Sequence, residues 1–461
     1  MSIGKHSSEV NQQRKRTSPT FDSSQMNSLL KASTLPRSYS PEQTKLQESH
    51  QSLQVPSAVL MINQGEVQME SYTGSYNADT QFELASLTKQ FTAMAILTLF
   101  NQKKLDISTS LSELKDGSGQ SFLANLPNAS KVTVQHLLEM ASGYPQIPHD
   151  DKHPMTRREL LETINKKLHD ASKEIKEPGN YEYNNINYYL LTIILERLSN
   201  QTYDDYLQTT FFKHLGMTKT STKQSQPFAH PLMIGETKTF SKLDHQKYPR
   251  HHEDVLSGAG ALKSTPNDLA IWTTELQKAL MEQSSILPDV PIQEKNTSVM
   301  YGLFNVNKST GNFEAAGSIT NQVQSHIKAS SNGIIIAISP QFNIMSNKLI
   351  EQAERISSTK IDPQTPLEYH MDTIQMEFDV AKDLGDLSIT SKTIDHYLFC
   401  LNHIKMSNDE KNQFINHCLN IYNKTLQKLG NLPGNHQELI NTIDQVTDKN
   451  KKEQLNTIFT T

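Results

Sequence analysis

Ser86-Leu87-Thr88-Lys89 is the stretch of this chain whose residue types and spacing most directly suggest chemistry. A separation of three puts a serine hydroxyl and a lysine amine on one face of a helical turn, within reach of each other. A buried amine sheds its proton more readily than one in water, so it can take a proton from the hydroxyl and activate it as a nucleophile. The motif stands just before residues 91–100, FTAMAILTLF, which are apolar all round and too long for a strand. That is the pattern of a buried helix. Free N–H groups at such a helix start can polarise a carbonyl oxygen, and the dipole favours a developing anion. Context decides here: Ser2/Lys5, Ser112/Lys115 and Ser357/Lys360 share the spacing, and none of them precedes a buried helix. The ordinary fate of such a pair is a solvated helix surface.

A second constellation is Pro178-Gly179-Asn180-Tyr181-Glu182-Tyr183-Asn184-Asn185, where a Pro-Gly turn leads through an aromatic-polar cluster into the apolar residues 188–198. A phenol held near a cation can act as a phenolate base, and an Asn amide can hold a substrate carbonyl. A half-buried tyrosine followed by a helix-capping Asn would leave the same trace.

These residues need a scaffold. The apolar run at 57–62, the turn chemistry of Asn63-Gln64-Gly65-Glu66 and the resumption at 67–70 predict a hairpin. Thr265-Pro266-Asn267-Asp268 predicts a helix start, with Thr265 as N-cap, Pro266 at the first position and Asp268 closing the box. Gly333-Ile334-Ile335-Ile336-Ala337-Ile338-Ser339 predicts a strand buried on both faces. Strands early, helices in the middle and strands late describe an α+β domain whose sheet is assembled from both chain ends.

The 461 residues carry a formal charge of −5 and are 35% hydrophobic. Neither nucleic-acid binding nor an integral membrane segment is expected from that balance and from the absence of any long apolar run. Residues 1–50, rich in Ser, Gln, Lys and Pro, read as a disordered tail. Residues 51–350 form the main domain. Residues 351–461 are polar and helical in pattern, with a capping box at Ser407-Asn408-Asp409-Glu410, and read as a separate C-terminal module whose helices are a candidate surface for a protein partner. Cys400 and Cys418 read as buried free thiols on helices. The start of the sequence carries no Sec-type signal, which points to the cytoplasm or to export without such a signal, including into a host cell. His245, His251 and His252 read as surface histidines, and nothing calls for a metal or cofactor.

Taken together, the blocks resemble the serine β-lactamase and penicillin-binding-protein superfamily, in its class C β-lactamase-related esterase and peptidase branch. The resemblance runs in order through Phe82–Lys89, Val132–Gly143, Tyr183-Asn184-Asn185, His214–Thr218 and Gly258–Leu269, covering about residues 52–345. It implies an antiparallel sheet flanked by helices, an all-helical subdomain, and a hydrolase acting on a small-molecule or peptide ester or amide. By resemblance Ser86 is the acylated nucleophile, Lys89 its activating amine, Tyr183 the general base and Asn185 the substrate-orienting amide. The backbone N–H groups of Ser86 and of Ser318, which follows the late-strand Gly317, would make the oxyanion hole. The sequence departs from the family in three places. Ala315 stands where a basic residue is usual, Met140-Ala141 replaces His-Thr, and the loop from Gly179 to Tyr183 is one residue short. Loss of the basic residue argues against β-lactam recognition. It leaves a second possibility beside the hydrolase, a catalytically weak binding or regulatory protein, including a translocated bacterial effector.

Overall fold

The computed structural model describes residues 40–146, 155–234, 240–242, 253–291, 299–319, 323–341, 346–358, 365–384 and 387–429. In chain order, the elements that position the site begin with helix α1 (Pro41–Ser52) and strands β1 (Ala58–Asn63) and β2 (Glu66–Tyr72). Helices α2 (Thr88–Asn101), α3 (Asn185–Ser199) and α4 (Pro266–Leu280) follow. Next come strands β3 (Val299–Met300), β4 (Leu303–Asn307), β5 (Asn312–Ile319), β6 (Val323–Ser330) and β7 (Gly333–Ser339). Helices α5 (Ser346–Ser358), α6 (Pro366–Leu384), α7 (Leu387–His403) and α8 (Asn408–Leu429) complete the set.

The hairpin forms as its turn chemistry predicts: Gln64 and Gly65 both take positive φ, at 52° and 81°, which matches the twist of the flanking strands. The main sheet has seven strands in the order β2-β1-β7-β6-β5-β4-β3, so the first hairpin lies against the last strand. β7 sits inside the sheet and is buried on both faces. Ile334, Ile336 and Ile338 join the inner core with Ala58, Leu60 and Ile62 of β1. Ile335 and Ala337 join a second core with Val59 and Met69. Period-two alternation thus feeds two layers of helix from one strand. On the inner side α4 packs on β7, β1 and β6, and Trp272 stacks on Phe91 of α2 at 4.0 Å between ring centroids.

The outer layer corrects two expected boundaries. Residues 41–52 are helix, not tail: Ser40 caps α1, and Leu46 and Leu53 pack in the outer core. Gln43 contributes an unusual contact there, donating from Nε2 to the Glu70 carbonyl at 2.6 Å and accepting from the Glu70 N–H at 2.9 Å. Nor does a separate module begin at 351. Helix α5 crosses that position, and its Leu349, Ile350, Ala353 and Ile356 cover the outer face of the sheet together with Tyr369 of α6. The described residues from Ser40 onward cluster as one compact unit. The reason is area: β7 and β1 expose apolar side chains on the outer face, and these need a covering layer.

Local signals fare well where the partners are close in sequence. Thr265 accepts from the Asp268 N–H and Pro266 opens α4 as expected. The Asp268 carboxylate does not close that box, because it accepts instead from the Lys219 N–H and the Thr220 hydroxyl. Ser407 and Glu410 do form their reciprocal box at α8. Cys400 and Cys418 are free and buried. Residues 430–461 of the C-terminal helical pattern, the histidines at 245, 251 and 252, and the tail up to residue 39 lie outside the described residues.

Candidate active site

Ser86 sits in a 3-10 turn, Ala85–Leu87, that runs directly into α2. Ala85 before it holds φ at 48°, a left-handed conformation that costs a residue with a Cβ about 1–2 kcal/mol. Surrounding structure enforces it. The Leu84 N–H donates to the Leu262 carbonyl at 2.9 Å, and the Ser325 hydroxyl donates to the Leu84 carbonyl at 2.9 Å. Gly317 of β5 presses against the same turn: a Cβ there would lie 2.4 Å from the Leu84 carbonyl oxygen and 2.8 Å from the Ser86 nitrogen. Only glycine allows strand and turn to approach so closely.

Lys89 follows one turn later and is 1% exposed. Its Nζ donates to Ser86 Oγ at 2.9 Å and to the Ala259 carbonyl at 2.8 Å, both neutral oxygens. Among the described residues no carboxylate pairs with it. The Gly258-Ala259-Gly260 block now has a physical reason: a Cβ on Gly258 would meet the Thr92 and Thr192 hydroxyls at 2.5 Å each. Glycine lets this backbone slide between α2 and α3 and present the Ala259 carbonyl to the amine.

Tyr183 arrives from a distant loop. That loop is tied to residues 140–143 by the Lys176, Gly179 and Glu182 N–H groups, which donate to the carbonyls of Gly143, Ala141 and Met140. Its hydroxyl shares a 2.7 Å hydrogen bond with Ser86 Oγ, and Lys89 Nζ lies 5.1 Å from its ring centroid. Burial of the hydroxyl end opposes ionisation, but the Lys89 charge and hydrogen bonds from Lys89 and Ser86 outweigh it and hold the phenol below the ordinary tyrosine value. The residue as a whole remains 48% exposed, so it is open to an incoming molecule. Asn184 caps α3 and donates to the Tyr144 carbonyl, while Asn185 accepts from the Tyr183 hydroxyl at 3.5 Å. The two asparagines divide the structural and site-facing tasks.

Ser86, Lys89, Tyr183, Asn185, Gly317 and Ser318 line one cavity of about 610 Å³. The six residues expected at the site are therefore brought together. Others were missed. Met140 takes positive φ and reaches the cavity, as do Tyr181, His326 of β6 and Met376 of α6. His326 pairs across the sheet with Ala316 and lies 3.4 Å from a Glu314 carboxylate oxygen. The Gln324, His326 and Lys328 alternation in β6 was legible, but its meaning depends on a register between strands. Ala315 is fully buried in the inner core and Ala316 faces the cavity, so neither carries a charge into the site. Lys308 is in the turn before β5 and pairs with Glu282 at 2.6 Å.

The Beta-lactamase family model matches residues 43–331. This chain belongs to the β-lactamase family. Among curated relatives, Protein flp of Staphylococcus aureus (strain COL) is 31% identical over 196 residues, covering 39% of this chain and 36% of that protein. The match thus spans about a third of the relative's length. The unguisins hydrolase ungD' of Aspergillus campestris is 25% identical over 214 residues, covering 43% of this chain and 38% of that one. Among solved structures, FmtA from Staphylococcus aureus superposes with a TM-score of 0.56 at 17% identity, over 74% of this chain and 97% of that one. The octameric penicillin-binding protein homologue from Pyrococcus abyssi gives 0.54 at 17%, covering 73% and 81%. The β-lactamase fold is a β-lactamase/transpeptidase-like antiparallel sheet with flanking helices, as expected. No described helix is long and apolar enough to cross a membrane.

Proposed function

We propose that this protein is a serine hydrolase that cleaves an ester or amide through an acyl-enzyme on Ser86. The observation that carries the reading is the placement of Ser86 Oγ between Lys89 Nζ at 2.9 Å and Tyr183 Oη at 2.7 Å, on the wall of an open cavity. In the first step Ser86 Oγ attacks the substrate carbonyl carbon and gives its proton to the Tyr183 phenolate. The carbonyl oxygen becomes an oxyanion facing the Ser86 and Ser318 N–H groups; removing one such donor costs about a hundred- to a thousandfold in rate. The carbonyl bond to the leaving oxygen or nitrogen then breaks, and Tyr183 returns the proton to that group. Water repeats the sequence on the acyl-serine, freeing the acid and restoring Ser86. Lys89 keeps a positive charge beside Tyr183 and so sustains its phenolate through both halves. Asn185 orients the substrate carbonyl.

Ala315 and Ala316 favour neutral substrates over carboxylate-bearing ones. They also motivate the second reading, a binding or regulatory protein with little turnover. One experiment separates the two: labelling with a fluorophosphonate probe, with the adduct mapped by mass spectrometry. A hydrolase gives an adduct on Ser86 that competes with short-chain esters. A protein that takes no label and turns over none of a panel of esters and amides sinks the hydrolase reading.

A further inference from the structure

Behind the outer layer a second group of polar side chains is sealed from solvent. His370 and Glu377 share one face of α6, seven residues apart, and His396 and Cys400 share one face of α7, four residues apart. All four are buried, at 1% exposure or less. His370 Nδ1 faces His396 Nε2 at 3.0 Å, and the two histidine nitrogens and the Cys400 sulfur lie within 4.8 Å of one another. The far side of each ring is also held. His370 Nε2 lies 2.9 Å from the Leu53 carbonyl, and His396 Nδ1 lies 3.1 Å from a Glu377 carboxylate oxygen.

The hydrogen bookkeeping is restrictive. The Leu53 carbonyl can only accept, so His370 carries its hydrogen on Nε2 and presents a lone pair from Nδ1. Without a metal, burial keeps the Glu377 carboxyl protonated, so it donates to His396 Nδ1 while His396 Nε2 donates to His370 Nδ1. A divalent cation set between the two facing nitrogens and the thiol would take the place of the hydrogen they share, leaving His396 Nδ1 to donate to an ionised Glu377. Histidines that donate their second N–H to a carbonyl and a carboxylate while aiming the other nitrogen inward are oriented as metal ligands are.

We propose that His370 Nδ1, His396 Nε2 and Cys400 Sγ bind a zinc ion that clamps α6 to α7. Two imidazole nitrogens and a thiolate fill three of the four tetrahedral positions of zinc, whose bonds of about 2.0–2.1 Å to nitrogen and about 2.3 Å to sulfur require the facing nitrogens to part by only a few tenths of an ångström. Charge also balances. The metal-free cluster is neutral with Glu377 and Cys400 protonated. On binding, the Glu377 proton passes to His396 Nδ1, the proton on His396 Nε2 leaves, and Cys400 loses its own. One dication is gained and two protons are released, so the buried cluster stays neutral. Residue 376, next to Glu377, is the methionine that lines the Ser86 cavity, so zinc occupancy fixes one wall of the candidate active site.

The test uses the full chain and needs no activity. After loading with zinc and removal of excess, elemental analysis should find one zinc per chain, and the melting midpoint should rise by about 5 °C over chelator-treated protein. Cobalt in place of zinc should give a thiolate-to-cobalt charge-transfer band. Cys400→Ser should abolish the band and lose the metal, while Cys418→Ser keeps both. If Cys400→Ser does not fold, the parent's cobalt spectrum decides the matter. A parent chain that retains no zinc, or shows no charge-transfer band with cobalt, overturns the site; so does retention by Cys400→Ser at the parental level.

Discussion

Around Ser86, a hydroxyl, an amine and a phenol converge beside an open cavity, and Tyr183 is half-exposed. Around His370, two imidazoles and a carboxyl group are linked to one another with no solvent contact. Both clusters place titratable groups within hydrogen-bond distance, yet they are suited to opposite tasks. The first leaves room for a reacting molecule, and its polar atoms can exchange partners during a reaction. The second must satisfy every donor and acceptor internally, since an unpaired buried group costs about 1–3 kcal/mol. Burial alone therefore does not mark a reactive site. Access to the cluster does.

The sharpest way to break this contrast is Ser86→Ala, which should lower ester hydrolysis by about a thousandfold or more and abolish probe labelling. Thermal stability should change little, because a single hydroxyl beside a cavity contributes little to folding. A variant that melts far earlier would put Ser86 in the structural class with His370. The pH profile sharpens the same point. Tyr183 must be ionised to act as base, so activity should rise with pH through a midpoint below that of a free tyrosine, and Lys89→Ala should push that limb to higher pH.

Ending the chain after Ile350 removes the second cluster altogether, along with Ala353, Ile356 and Tyr369 of the outer core. A buried isoleucine such as Ile356 is alone worth about 1.5–3 kcal/mol, against a typical total of about 5–15 kcal/mol. The expected product is insoluble or melts without cooperativity. A soluble, cooperatively melting truncation would show that the outer layer is dispensable.

Acid should act through the buried imidazoles. His50 of α1 sits between the Ser57 and Ser71 hydroxyls, and burial lowers its pKa from 6.5 to about 4. The fold holds it neutral, so its contribution is complete above pH 6.5 and is lost as pH falls from there toward 4. The full loss is about 3 kcal/mol. Urea unfolding at a series of pH values should show this slope, and His50→Gln should reduce it, leaving the share carried by His370 and His396.

The smallest expected effect concerns specificity. Nitrocefin carries a carboxylate, and Ala315 and Ala316 offer it no charge; a lost charge-assisted hydrogen bond is worth about 1.5–3 kcal/mol, more than tenfold in binding. Its kcat/KM should therefore fall at least that far below that of p-nitrophenyl butyrate. Comparable rates would mean that His326 supplies the charge from the outer face.

What could be read from the sequence follows the distances along the chain. Ser86 and Lys89 are three residues apart, and their spacing alone proposes the contact. Tyr183 lies 97 residues from Ser86, and only the resemblance to a family joined them. Helix α1 escaped because its buried positions include Gln43 and His50, which look solvated in a sequence and become core only through Ser57 and through Glu70 and Ser71 of β2. Helix α5 escaped for a related reason: its apolar face says that it packs, not on what. The two cysteines were read correctly as buried thiols, but the His370 and His396 pairing depends on how α6 lies against α7, which no local pattern encodes.

β2 is the outermost strand of the sheet, and its free side would offer unpaired peptide groups to any extended segment that came near. A glutamine amide carries the same donor and acceptor as a peptide unit, and Gln43 sets both against Glu70, occupying one rung of the ladder a second molecule would need. Helix α1 thus serves as insulation against edge-to-edge growth, and its polar composition, which makes it look dispensable, is what lets it take on that task without becoming a sticky surface itself.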